Sequence, residues 1–143
     1  MKIAVGCDHG GFELKQQVIE YLQKAGMECM DCGCHSESSC DYPEYARKVT
    51  DEVASSQCDL GILICGTGIG MSIAANKVKG IRAALCSDCF SAEATRQHNN
   101  ANVLCMGARV LGTGLALKIV DIFVNTEFSN DDRHIRRISM LED

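Results

Sequence analysis

Leu60-Gly61-Ile62-Leu63-Ile64-Cys65 is apolar at every position. A strand with no polar alternation must be covered on both faces, which is how strands of parallel sheets read. The rest of the chain repeats the same alternation of short apolar runs with helical patterns. Ile3 to Cys7 reads as a strand, followed by a helix whose apolar positions Leu14, Val18 and Leu22 recur every four residues and which Gly26 ends. Glu28 to Cys32 is a more polar strand. Asp41-Tyr42-Pro43 opens a helix in which Asp41 can cap and Pro43 fits the first turn, with Tyr42, Ala46, Val49 and Val53 as its buried stripe. After Cys65 come a helix from Gly70 to Lys77, a strand Arg82 to Cys86, a helix Phe90 to His98, a strand Val103 to Gly107 and a helix Thr113 to Val124. A short polar helix spans 131 to 141, within a C-terminal helical segment 131–143. About five βα units in succession predict an α/β fold, a Rossmann-like three-layer sandwich with a parallel sheet and helices on both faces.

With 143 residues and no linker or repeat, the chain is expected to be one domain, 1–143. Aromatic content is 5% and Trp is absent, so the core rests on Ile, Val, Leu, Ala and Met. The net charge of −5 and pI near 5.3 oppose binding to phosphate polymers, which excludes nucleic acid as a partner. The one concentrated basic cluster, Arg133-His134-Ile135-Arg136-Arg137, suits a single small anion. Asp8 and His9 interrupt the N-terminal apolar run too early for a signal peptide, and no stretch reaches the length of a membrane span. A soluble, cytoplasmic protein is expected. Its ten cysteines then read as free thiols in a reducing compartment rather than a disulfide framework.

Sites in parallel sheets lie outside the carboxyl ends of the strands. There the sequence places Cys7-Asp8-His9, Cys65-Gly66-Thr67, Ser87-Asp88 and Gly107-Ala108-Arg109. Gly66-Thr67-Gly68-Ile69-Gly70 joins a buried strand to a helix start, where amide N–H groups face an anion or a developing oxyanion. A dinucleotide fingerprint would need glycine where Met71 stands, and no Walker lysine follows; a tight turn without a ligand is the plain alternative. Cys65 precedes this loop, so a helix N-terminus would favour its thiolate, although a packed core thiol would look the same. Asp8 and His9 are suited to contacting a sugar hydroxyl or transferring a proton, or to capping and solvation alone. His98 and Asn99 close a helix, where the dipole already favours an imidazolium. Arg109, Arg133 and Arg137 offer guanidinium forks for a phosphate, with Arg133 and Arg137 one helical turn apart. Cys29-x-x-Cys32 and Cys86-x-x-Cys89 imitate paired zinc knuckles, but Cys29 and Cys32 would point to opposite faces of a strand. No metal site is expected.

With these residues in place, the sequence resembles the type-B ribose-5-phosphate isomerases and their relatives acting on galactose 6-phosphate and allose 6-phosphate. The resemblance is carried by Gly6-Cys7-Asp8-His9, Asp41-Tyr42-Pro43, the stretch Cys65 to Lys77, Gly80 to Ala84, Arg96-Gln97-His98-Asn99, Ala101 to Leu104, Gly107-Ala108-Arg109 and Arg133-His134. It implies an aldose–ketose isomerase working through an enediolate, with no metal or organic cofactor. Cys65 would be the base moving a proton between C2 and C1, with Thr67 beside it, and the backbone of Gly66, Thr67, Gly68, Ile69 and Gly70 would hold the enediolate oxygen. His98 would open the furanose ring, supported by Asn99, with Asp8 and His9 on the sugar and Arg109, Arg133 and Arg137 on the phosphate. The resemblance also implies a homodimer or tetramer with the site at a subunit interface and His98 contributed across it. Some members use a glutamate at the position of Met71; this chain has the cysteine instead. A non-catalytic sugar-phosphate sensor and a thiol-based redox or zinc protein are the rival readings. Five-carbon and six-carbon substrates differ by pocket shape, which the sequence does not display.

Overall fold

The computed structural model describes residues 1–143. Its strands are β1 (Lys2–Cys7), β2 (Glu28–Asp31), β3 (Leu60–Cys65), β4 (Ala83–Leu85) and β5 (Val103–Gly107). They form one sheet in the order β2-β1-β3-β5-β4, with every neighbouring pair parallel. The helices are α1 (Phe12–Lys24), α2 (Tyr42–Ala54), α3 (Ile69–Ala75), α4 (Cys89–Asn99), α5 (Thr113–Asn125) and α6 (Asp132–Glu142). A single 3-10 turn, His9–Gly11, leads into α1.

β3 is buried at all six positions, and its side chains divide between two cores. Ile62 and Ile64 join Val18, Leu22, Ile119 and Phe123 beneath α1 and α5. Leu63 and Cys65 join Val49, Val53, Met71 and Ala75 beneath α2 and α3. Period-two alternation thus feeds both layers from one apolar strand. The same alternation sends Cys29 toward the first core and Cys32 toward the second, so the two do not converge.

Local signals explain most of the element ends. Gly26 has φ +85°, and the bonds Gly26 N–H to the Gln23 carbonyl and Met27 N–H to the Leu22 carbonyl close α1 in a Schellman motif. The Asp88 carboxylate accepts from the Ser91 N–H at 2.7 Å and starts α4 one residue earlier than the apolar pattern implies.

Three expectations are corrected. Asp41 occupies the N-cap of α2, but its carboxylate makes no capping bond. Tyr42 is 39% exposed rather than part of the buried stripe; Thr50 takes that place at 0%, its hydroxyl donating to the Arg47 carbonyl. β4 is shorter than expected, three residues, as suits an edge strand. Lys15 is also buried, at 1%: its ammonium donates to Asp31 at 2.6 Å and to the Cys34 carbonyl at 2.8 Å, as a buried charge must.

The chain leaves β1 toward β2 on one side and leaves β3 toward β4 on the other. That reversal opens a crevice at the carboxyl ends of β1 and β3, the topological switch point where such sheets bind ligands.

Candidate active site

Two turns meet in this crevice. The Asp8 N–H donates to the Ile64 carbonyl, and the Asp8 carboxylate accepts from the Gly10 N–H at 2.9 Å, fixing the turn after β1. Gly10 packs against Gly66: a Cβ placed on it would lie 3.4 Å from the Gly66 nitrogen. From the other side, the Ala108 and Arg109 N–H groups donate to the Cys65 and Gly66 carbonyls at 2.8 and 3.0 Å. Asp8, the glycine loop and Arg109 are therefore held together by backbone bonds between adjacent strands.

The Cys65 sulfur is buried and accepts the Gly68 N–H at 3.0 Å. Gly68 can deliver that bond because its φ is +78°; a Cβ there would lie 2.7 Å from the Met106 carbonyl carbon. The Ile69 N–H donates to the Thr67 hydroxyl at 3.2 Å. The loop's remaining amides are placed to face an oxyanion beside the sulfur.

His9 Nδ1 accepts the Cys40 N–H at 3.2 Å. An amide can only donate, so this bond fixes the imidazole as the tautomer protonated at Nε2, which makes Nε2 a donor. Tyr42 lays its ring across the same loop: a Cβ on Gly70 would lie 2.6 Å from the ring. Cys40 and Tyr42 were not singled out as site residues by the sequence. The Asp41-Tyr42-Pro43 segment was the available signal, and its ring position depends on tertiary packing.

His98, Asn99, Arg133 and Arg137 lie elsewhere in the chain. α4 begins beyond the carboxyl end of β4 and returns to the amino end of the sheet, where β5 starts. Its 11 residues span about 16 Å at 1.5 Å per residue, so one chain's His98 sits at the far end of the sheet from its own Cys65. There the His98 ring stacks on His134, with centroids 4.6 Å apart and planes at 14°. His134 is buried, and burial followed by the neighbouring His98 and Arg133 charges lowers its pKa. Arg133 Nε donates to His134 Nε2 at 3.4 Å, and the Arg133 guanidinium lies 3.5 Å from Asp131. The Asn99 carbonyl accepts from Arg82 at 3.0 Å. A phosphate clamp of Arg109, Arg133 and Arg137 is therefore not assembled within one chain: Arg109 stands with the loop, the other two with His98.

None of the chain's four cavities is lined by Cys65, Thr67 or His98. Around the loop, Ile69, Ile73, Leu85, Phe90 and Val110 are exposed, Phe90 at 78%. All ten cysteines are free thiols, and no group of three or more His, Cys, Asp or Glu side chains is placed to hold a metal ion. No helix is long and apolar enough to cross a membrane.

Known proteins match the chain over nearly its whole length. The ribose/galactose isomerase family matches residues 3–141. The chain is 49% identical over 140 residues to ribose-5-phosphate isomerase B of Escherichia coli, covering 98% of this chain and 93% of that protein. It is 41% identical over 128 residues to a galactose-6-phosphate isomerase subunit of Clostridium acetobutylicum, covering 90% and 74%. The solved structure of Clostridium thermocellum ribose-5-phosphate isomerase B superimposes with a TM-score of 0.98 at 49% identity, covering 99% and 95%.

Proposed function

The chain belongs to the ribose/galactose isomerase family, and from that premise we propose that it interconverts ribose 5-phosphate and ribulose 5-phosphate through an enediolate, as a cytoplasmic step of the pentose phosphate pathway. The observation that carries the reading is the Cys65 sulfur held against the Gly68 N–H at the switch point, in a chain that matches isomerases from end to end. The whole chain, 1–143, acts as one sugar-phosphate isomerase domain.

Each group has a task its chemistry suits. Cys65, as thiolate, takes the C2 proton and returns it to C1, with the Thr67 hydroxyl beside it. The amides from Gly66 to Gly70 hold the enediolate oxygen, and one such donor is worth roughly a hundredfold or more in rate. His9 donates from Nε2 to a substrate oxygen while Asp8 accepts a sugar hydroxyl. His98, supported by Asn99, protonates the ring oxygen to open the furanose. Arg109, Arg133 and Arg137 take the phosphate. No metal or organic cofactor enters any step.

Because His98, Arg133 and Arg137 stand at the amino end of their own sheet, away from the crevice at its carboxyl end, they reach this chemistry from a second copy. The working unit is a homodimer, or a pair of such dimers, with the apolar rim of Ile69, Ile73, Leu85, Phe90 and Val110 at the contact.

The galactose-6-phosphate isomerase relative keeps a six-carbon substrate as the alternative. Turnover of ribose 5-phosphate, allose 6-phosphate and galactose 6-phosphate, ranked by kcat/KM, decides between them. The ribose ester leading supports the proposal. A six-carbon ester leading reassigns the substrate, and binding without turnover makes the chain a sugar-phosphate sensor.

A further inference from the structure

A line of thiols runs from the sheet to His9. Cys7 ends β1 and is fully buried, and its sulfur lies 3.8 Å from the sulfur of Cys34, which is 4% exposed. The backbone locks these two together: Cys34 N–H donates to the Cys7 carbonyl at 2.9 Å, and Cys7 N–H to the Gly33 carbonyl at 2.7 Å. Cys40 comes next, six residues along the chain, partly buried and packed against the same core that holds Cys7 and Cys34. Its sulfur lies 3.9 Å from His9 Nδ1, the same nitrogen that accepts the Cys40 N–H. None of these three thiols has a part in the isomerisation proposed above.

We propose that Cys34 and Cys40 form an oxidation site, a dithiol that hydrogen peroxide converts to a disulfide and that thereby loosens His9. Cys40 is the member that solvent reaches. Its thiol pKa is raised, first by burial, so the unassisted thiolate is scarce at neutral pH. His9 Nδ1, 3.9 Å from the sulfur, takes the thiol proton in place of the Cys40 N–H that it otherwise accepts. The Cys40 thiolate attacks the peroxide; an S–O bond forms, the O–O bond breaks and water leaves, giving a sulfenic acid. The Cys34 sulfur then attacks the Cys40 sulfur, the S–O bond breaks, and the departing hydroxide takes the thiol proton as a second water. The two sulfurs together lose two electrons, and the peroxide gains them.

Closing this bond draws Cys40 toward Cys34 and away from His9, which loses the amide that fixes its tautomer. The connecting segment, His35 to Ser39, is largely exposed and accommodates the shift. The consequence for activity rests on the isomerase reading, with His9 as a substrate contact. Loss of one oriented hydrogen bond raises KM about tenfold.

The test treats the reduced protein with hydrogen peroxide while a sugar phosphate occupies the site, then digests it under non-reducing conditions with a protease that cuts after Glu37. The expected product has lost two hydrogens, and its Cys34 and Cys40 peptides stay joined until dithiothreitol is added. KM is raised about tenfold before that reduction and restored after it. Cys34→Ser, which keeps a hydroxyl for the Ser36 carbonyl that the thiol contacts at 3.2 Å, retains basal activity and shows neither the link nor the KM change. Cys34→Ala provides the same comparison if the serine variant folds poorly. The inference is overturned if the two peptides separate without reductant, or if Cys34→Ser shows the same KM change as the parent. Failure of the reduced enzyme to turn over any sugar phosphate would instead count against the isomerase reading, because the linked peptides are scored without activity.

Discussion

Mixing two inactive variants tests whether the site is shared between chains. Cys65→Ala removes the proposed base, and His98→Ala removes the proposed ring-opening acid, each a loss of roughly a hundredfold to ten-thousandfold. α4 carries His98 about 14 Å along its axis from the carboxyl end of β4 to the amino end of the sheet, away from Cys65, too far for a side chain to serve its own loop. In a two-fold dimer, a hybrid of the two variants has one site lacking both groups and one site with both intact. Equal mixing with subunit exchange makes half of the dimers hybrid, each with one working site of two, so about one quarter of wild-type activity returns. The assay is ribulose 5-phosphate formation from ribose 5-phosphate, measured before and after brief dissociation and reassociation of the mixture. Activity that stays at the mean of the parents would refute the shared site, because each chain would then depend on its own His98.

Gly68→Ala forces a Cβ to within 2.7 Å of the Met106 carbonyl carbon and 2.6 Å of the Leu85 side chain. A left-handed alanine adds about 1 kcal/mol of strain, so the loop must move and withdraw its N–H from the Cys65 sulfur. We expect kcat to fall about a hundredfold with a smaller change in KM, read by steady-state kinetics. His134 gives a pH signature. Its folded pKa lies below the unfolded value near 6.5, so the unfolded chain binds more protons between those two values. Stability is then complete above about pH 6.5 and declines as pH falls toward the folded pKa. Melting temperatures between pH 5 and 8 should show that decline in the parent and a shallower one in His134→Phe, which keeps the stacking partner but not the proton site.

The central strands β3 and β5 are legible because they are apolar without interruption. Val103–Gly107 and Leu60–Cys65 were read to the residue, since a doubly covered strand carries its own boundaries in hydrophobicity. The glycine loop was also legible, because a strand-to-helix turn rich in glycine has few other uses. Lys15 and His134 were not. A charged residue reads as solvated, and only tertiary partners such as Asp31, the Cys34 carbonyl and the His98 ring make burial affordable. Tyr42 fitted the helical period of α2, but at the first turn that period points over α3, where Gly70 leaves room for its ring. The separation of His98 from Cys65 follows from the course of α4, which runs from the carboxyl end of β4 back to the start of β5. The resemblance implies a second copy, and the course of α4 is the physical reason the proposed site calls for one.

The central claim, that Cys65 shuttles the C2 proton, is tested most directly by incubating the enzyme with ribose 5-phosphate in D2O and following the C2 proton by NMR. The wild-type protein should exchange that proton with solvent, and Cys65→Ala, still folded and still binding the sugar phosphate, should leave it in place. Undiminished exchange in Cys65→Ala would contradict the account and move the base to another residue of the crevice.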